Sequence, residues 1–168
     1  MTIAELIADS FERIRQAVHG AIDGLGPEEL SYRPDAEANS IAWLVWHLTR
    51  IQDDHVADVA RTDQIWTTEG WAERFALPFD QSETGYGHSA DRVGAVESDA
   101  ESLGGYHDAV HRATIAYVKK LSDSDLDRIV DERWNPPVTL GVRLVSVIAD
   151  DLQHAGQAAY VRGLLERR

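Results

Sequence analysis

The sequence predicts an all-α protein, a four-helix bundle with a long crossover between its second and third helices. Four long segments carry apolar residues at every third or fourth position, which is the spacing of one helix face. Alternating strand patterns are almost missing, and 43% of the 168 residues are hydrophobic, which is enough for one core. We therefore expect a single domain over residues 1–168 with almost no strand.

The first helix is predicted over residues 3–22 and the second over residues 41–60. Gly24 follows the first apolar stripe and ends that helix. Asn39 or Ser40 offers a side-chain cap for the start of the second helix. The predicted inward faces are Ile3, Ile7, Phe11, Ile14, Val18 and Ile22 in the first helix, and Ile41, Leu44, Val45, Leu48, Ile51 and Val59 in the second.

A long crossover follows, from Arg61 to Glu97. The helical periodicity stops there, and aromatic residues accumulate ahead of the turn Gly85-Tyr86-Gly87-His88. Connections of this length are uncommon without structure of their own, and many of them are functional. We expect the crossover to fold over one end of the bundle and to form a short helix around Trp71 to Phe75.

The third and fourth helices are predicted from their capping signals. Ser98 with Glu101 three residues later has the pattern of a capping box, and the helix that it opens continues to Leu121. Thr139 is predicted to cap the last helix, which runs to the end of the sequence. The inward seam of that helix is predicted to contain Val147, Asp150, His154, Val161 and Leu165.

Charge and composition exclude several classes of function. The formal net charge is −13, which repels polyanions and argues against nucleic acid or an anionic membrane as the main partner. The chain has no cysteine, which excludes disulfides, thiolate metal sites and a cysteine nucleophile. It shows neither a signal-peptide pattern at its start nor an apolar stretch of about 18 residues, so we expect a cytoplasmic protein.

Polar residues that interrupt the predicted core indicate a metal site. Asp150 and His154 are four residues apart on the last helix, so both side chains can reach one ion. His47 lies on the edge of the apolar stripe of the second helix and is the third candidate ligand. Two imidazoles and one carboxylate leave coordination positions open for water or substrate. This set does not fix the identity of the ion, because zinc, the first candidate, and also nickel, iron and manganese accept these ligands.

Other interpretations of these residues stay open at the level of sequence. A histidine on an apolar face is often a hydrogen-bonded core residue, and an Asp and His one turn apart often bond only to each other. His107 and His111, with Asp108 beside them, form a rival pair on the third helix. Their charged neighbours predict a solvated flank for that pair. Asp54 and His55 could support the metal site or be surface charges.

The order of several motifs resembles the DinB superfamily over essentially the whole chain. Within it, the sequence is most similar to the actinobacterial branch of mycothiol-dependent transferases, which is related to the mycothiol-dependent maleylpyruvate isomerases. The motifs are Trp43-Leu44-Val45-Trp46-His47-Leu48, Gly85-Tyr86-Gly87-His88, Gly105-Tyr106-His107-Asp108-Ala109-Val110 and Asp150-Asp151-Leu152-Gln153-His154-Ala155-Gly156-Gln157. The resemblance implies a bundle of the DinB type and a divalent metal held by His47, Asp150 and His154. Many members have His where this chain has Asp150, and the isomerases have Glu.

The resemblance also implies a function, a metal-dependent transferase that activates a low-molecular-weight thiol such as mycothiol for attack on an electrophile in detoxification. The candidate walls for an apolar electrophile are Trp43, Trp46, Trp66 and Trp71, although each can equally be ordinary core. His88 is either a turn residue or an acid-base group. The alternatives are a mycothiol-dependent isomerase and a non-enzymatic, stress-associated metal-binding module, and the chain is a possible homodimer.

Overall fold

The computed structural model describes residues 1–168 and contains four long helices: α1 (Ile3–Ile22), α3 (Ile41–Ala60), α7 (Ala100–Val118) and α8 (Leu140–Leu165). Short helices lie between them, and a 3-10 turn at Asp123–Asp127 leads into a two-stranded antiparallel sheet before α8. The all-α prediction is confirmed, with this small sheet as its one departure. The bounds are α1 Ile3–Ile22, α2 Pro27–Leu30, α3 Ile41–Ala60, α4 Ile65–Thr68, α5 Trp71–Phe75, α6 Ala90–Gly94, α7 Ala100–Val118, β1 Ile129–Asp131, β2 Val138–Thr139 and α8 Leu140–Leu165.

The long helices form a bundle in which α3 and α8 are neighbours. Each of α1 and α3 packs against both α7 and α8. Helices α3 and α7 are parallel, since Thr49 contacts His107 near the middle of both helices and Tyr117 donates to the carbonyl of Val59 near their ends. Helices α1 and α8 run in the opposite direction. As a result, the middle of α3 faces the middle of α8.

Side-chain caps fix where the long helices begin. Ser40 accepts a hydrogen bond from Trp43 N at 3.1 Å, and Thr139 accepts one from Val142 N, as their sequence positions predict. The third helix differs from its prediction, because Asp99 rather than Ser98 is the cap. The Asp99 carboxylate accepts from Ser102 N at 2.6 Å, and its negative charge also favours a helix N-terminus.

We expected the crossover to fold over one end of the bundle, but it does not. It runs along the outer face of α3 and α7 and contains three short helices, including the predicted one at Trp71–Phe75. The buried Arg50 guanidinium donates to the carbonyls of Gln81 and Glu83, and Asp53 caps α4. These buried charged groups hold the crossover along the side of α3. Apolar periodicity in the sequence does not reveal such polar contacts.

The rival histidine pair is not on a solvated flank, contrary to prediction. His107 is fully buried and accepts or donates a hydrogen bond with Thr49 at 3.1 Å, while His111 is 9% exposed and lies 3.2 Å from Glu12. Their charged neighbour Asp108 forms ion pairs across to α1. The α1–α7 contact therefore covers a face that looks polar in the sequence.

None of the helices combines the length and the apolar character that crossing a bilayer requires.

Candidate metal centre

The structure brings His47, Asp150 and His154 together in the contact between α3 and α8. One ligand atom from each residue lies within 4.8 Å of the corresponding atoms of the other two. His47 comes from the middle of α3 and is 5% exposed. Asp150 and His154 come from successive turns of α8, with 3.6 Å between Asp150 Oδ1 and His154 Nε2. The chain offers no other group of three such residues that could hold an ion.

The two ligand candidates on α8 lie beside the core rather than within it, which corrects the predicted inward seam. The buried row of that helix runs through Val147, Asp151 and Ala155, while the side chains of Asp150 and His154 are 37% and 18% exposed. Neighbouring positions on a helix point about 100° apart, so residues one step from the core row reach its edge. The cluster is therefore closed by α3 on one side and open to solvent on the other.

Hydrogen bonds at the Nδ1 atoms orient both imidazoles. His47 Nδ1 lies 2.5 Å from the carbonyl oxygen of Thr84, and His154 Nδ1 lies 2.9 Å from Gln157 Oε1. Both oxygens can only accept, so each Nδ1 carries the hydrogen when the ring is neutral. The Nε2 lone pairs are then free to bind a cation, which is the usual arrangement of histidine ligands.

The local charges differ between the two histidines. Burial lowers the pKa of His47, and the hydrogen bond to Thr84 offsets this only in part. The interaction with Asp150 raises the pKa of His154. Partial burial disfavours the charged form of Asp150, but its interaction with His154 outweighs that effect and lowers its pKa. Without a cation, the site therefore pairs a carboxylate with His154 beside a neutral His47.

The residues present fit a divalent cation. Asp150 Oδ2 is buried and has no hydrogen-bond partner within the chain, which is costly for a carboxylate oxygen unless something positive compensates it. The two imidazole nitrogens and one carboxylate form a donor set that first-row divalent metals accept. The three residues also leave room on the solvent side for further ligands.

Trp43 of α3 forms an aromatic wall of the cluster, and the crossover holds its ring in place. The Trp43 ring stacks on His47 with 4.6 Å between centroids and meets the His154 ring edge-on at 6.2 Å. Its indole N–H donates to His88 Nδ1 at 3.3 Å, and Nε2 of that imidazole lies 3.0 Å from Glu83. His88 thus holds an aromatic wall of the cluster in place, with a side chain that is only 3% exposed.

Several other predicted residues lie away from this cluster. Trp46 and Trp66 are core residues that pack against each other, and Trp71 covers Gly105 and Tyr106 on α7. Among the four tryptophans, Trp43 alone contacts the candidate ligands.

Two other groups of polar residues predicted from the sequence, the pair His107 and His111 and the pair Asp54 and His55, also lie outside the cluster of candidate ligands. His107 and His111 bond within the interior and the α1 contact, as described above. His55 accepts a hydrogen bond from Arg143 at 3.2 Å and lies 4.0 Å from Asp54. None of these residues is part of the cluster of ligand atoms.

Sequence reasoning missed Thr84 and the reason for Gly85. A backbone carbonyl that accepts a hydrogen bond from an imidazole leaves no signal in the sequence, because every residue has a backbone carbonyl. Gly85 has a φ of +93°, and a Cβ there would lie 2.7 Å from His47 Nδ1. The Gly-Tyr-Gly-His motif was the available signal, since glycine permits both this backbone conformation and the close approach to His47.

Comparisons with known proteins agree with this fold. The model of the family described as mycothiol-S-transferase matches residues 6–167. A crystal structure titled as the conserved protein of a locus from Enterococcus faecalis is similar, with a TM-score of 0.92 and 29% sequence identity. That similarity covers 100% of this chain and 99% of the other. No curated protein sequence matches the chain.

Proposed function

This chain belongs to the mycothiol-S-transferase family, a DinB-like family, and we propose that it is a metal-dependent thiol S-transferase. In this proposal His47, Asp150 and His154 hold one divalent metal, zinc first among the candidates. The thiol is mycothiol, the second substrate is an electrophilic small molecule, and the reaction serves detoxification in the cytoplasm. The observation that carries the proposal is the convergence of these three side chains, with the Nδ1 atom of each imidazole hydrogen-bonded outside the cluster.

A divalent cation bound there would act as a Lewis acid that lowers the pKa of a thiol, and the thiolate is the reactive nucleophile. The thiol must come from outside, because the chain has no cysteine. Thr84 and Gln157 keep the two imidazoles in one orientation. Trp43 excludes water from one face of His47, and the open side at Asp150 leaves access for the two substrates.

The transfer forms a bond between the thiol sulfur and an electrophilic carbon. A leaving group such as chloride departs with its bonding electrons, and the thiol proton is released to solvent. No oxidant or reductant is needed for this balance. The chain's contribution is to orient the ligands and to leave one side of the centre open, so that sulfur and carbon can meet there.

Turnover with mycothiol and a chlorinated aromatic tests the proposal. Metal-loaded protein should consume thiol and form the thioether, detected by mass spectrometry, and His154→Ala should stop this by removing a ligand. His55→Ala is the matched control, because this nearby imidazole on α3 is not part of the cluster. It should keep the activity of the unaltered chain.

The outcome also separates the alternatives. Metal-loaded protein that does not react with any of a panel of thiols and electrophiles would contradict the transferase and favour a non-enzymatic metal-binding module. Conversion of maleylpyruvate in the presence of mycothiol, without thioether formation, would favour the isomerase instead.

A further inference from the structure

A groove of about 680 Å³ lies beside the candidate metal centre, between the segment that precedes α3 and the second half of α8. Leu44, one turn before His47 on α3, forms part of its floor together with Val161. Gln157 lines the groove as well, and the same side chain accepts the hydrogen bond from His154. A molecule in the groove would therefore lie next to the ligands.

The rim of the groove carries polar groups that the protein itself does not use. The amides of Asn39 and Gln153 and the phenol of Tyr160 make no hydrogen bonds within the chain, and Tyr160 is 65% exposed. Gln157 uses its carbonyl oxygen for His154, which leaves its NH₂ group free. Each free amide can donate and accept, and a hydroxyl group on a ligand can do the same.

Charge in the groove disfavours an anionic ligand. No lysine or arginine lines it, and its one carboxylate is Asp35, whose Oδ1 caps the backbone N–H groups of Glu37 and Ala38. The formal net charge of the whole chain is −13, which adds to the repulsion of anions. The groove therefore suits an uncharged group with many hydroxyls and an apolar ring skeleton for the floor.

We propose that this groove binds the hydroxyl-rich, uncharged part of the thiol co-substrate and so directs its sulfur towards the metal centre. This proposal rests on the proposed function, because it assigns the thiol to that site. Mycothiol fits the description, since its N-acetylcysteinyl group is attached to an aminosugar and a cyclitol. Asn39, Gln153 and Tyr160 then determine which thiol is accepted, while the ligand residues determine reactivity.

Calorimetric titration of the metal-loaded full chain tests the proposal with two probes. The first is mycothiol, and the second is N-acetylcysteinamide, which has the same thiol without the polyol. Asn39→Leu and Gln153→Leu should each weaken mycothiol binding about three- to tenfold, the loss expected for one or two hydrogen bonds. Both variants should bind N-acetylcysteinamide and metal as the unaltered chain does. Gln16→Leu, on the exposed face of α1, is the matched control and should change nothing.

Two results would overturn the proposal. One is that the groove variants bind mycothiol as tightly as the unaltered chain. The other is that the unaltered chain shows no preference for mycothiol over N-acetylcysteinamide. Failure of the proposed function is distinguishable, because groove-dependent binding without any transfer to an electrophile would contradict the transferase and support the groove.

Discussion

The imidazole of His47 is held by a carbonyl from Thr84, 37 residues further along the chain. Outer partners of this kind fix the tautomer and the direction of a ligand, and their loss typically weakens metal binding about 10- to 100-fold. The bond exists because Gly85 lets the crossover backbone come close to the ring. Metal affinity should therefore depend on a glycine that binds nothing itself.

Gly85→Ala tests this dependence. The added Cβ would lie 2.7 Å from His47 Nδ1 and 3.0 Å from the Trp46 ring, so the imidazole or the Thr84 carbonyl must move. We expect metal affinity to fall about tenfold or more, measured by competition with a chelator. Gly87→Ala is the control, because it has a similar φ of +72° but open space around its Cα. Equal metal affinity in the two variants would contradict the account.

A second prediction at this scale concerns acid stability. Burial lowers the pKa of His107 from 6.5 to about 3. As the pH falls below 6.5, His107 becomes protonated in the unfolded chain. In the folded chain it stays neutral until about pH 3. Each pH unit in this window should therefore reduce the free energy of unfolding by about 1.4 kcal/mol through this group.

His107→Asn removes the titrating group and keeps a polar partner for Thr49. Denaturant unfolding of the unaltered chain and the variant, both with chelator present, gives the difference between their pH dependences. The variant should lose less stability per pH unit below pH 6.5, the ordinary value of a histidine. Parallel curves for the two proteins would show that His107 does not contribute to acid unfolding.

At the scale of elements, the crossover is attached to α3 by buried charge. Arg50 is fully buried, donates to Gln64 Oε1 at 2.7 Å and lies 3.9 Å from Asp53. Asp53 also accepts from Tyr106 at 2.8 Å. Removal of one member of such a network leaves other buried groups without partners, which is strongly destabilising.

We expect Arg50→Ala to reduce the free energy of unfolding by about 3–5 kcal/mol, measured by denaturant titration. Arg112→Ala is the matched control, because this arginine is exposed on α7 and should change stability by less than about 0.5 kcal/mol. A change as small as the control's in Arg50→Ala would mean that apolar packing alone attaches the crossover.

The sequence was sufficient to place the long helices but not to place every side chain on them. The starts of α3 and α8 were predictable because Ser40 and Thr139 are side-chain caps next to apolar stripes. Val147 and Val161 of the predicted inward row of α8 are buried, but the carboxylate in that row is Asp151 instead of Asp150. Periodicity defines a face about as wide as that step, so it cannot separate a core residue from one at its edge.

The interior position of His107 was not predictable in the same way. Polar residues on α7 look solvated until it is known which helix packs against them, and α1 covers this face through ion pairs to Asp108. The path of the crossover could not be predicted for the same reason, because it depends on hydrogen bonds from Arg50 to carbonyl groups more than 30 residues away. Neither contact leaves a local pattern in the sequence.

At the scale of the whole molecule, helix order creates the candidate centre. Because α3 and α8 are antiparallel neighbours, His47 meets Asp150 and His154 although more than 100 residues separate them. The sequence predicted these three residues as candidate ligands on the two helices, and the bundle brings one atom of each within 4.8 Å of the others. The acidic surface, with a formal net charge of −13, favours the approach of a cation to this opening.

Elemental analysis of protein purified without a histidine tag tests the central claim most directly. The account predicts about one divalent metal ion per chain in the unaltered protein and in His55→Ala, and none in His47→Ala. Unaltered protein that carries no metal after incubation with zinc, nickel, iron or manganese would contradict it. So would His47→Ala protein that keeps the full complement of metal.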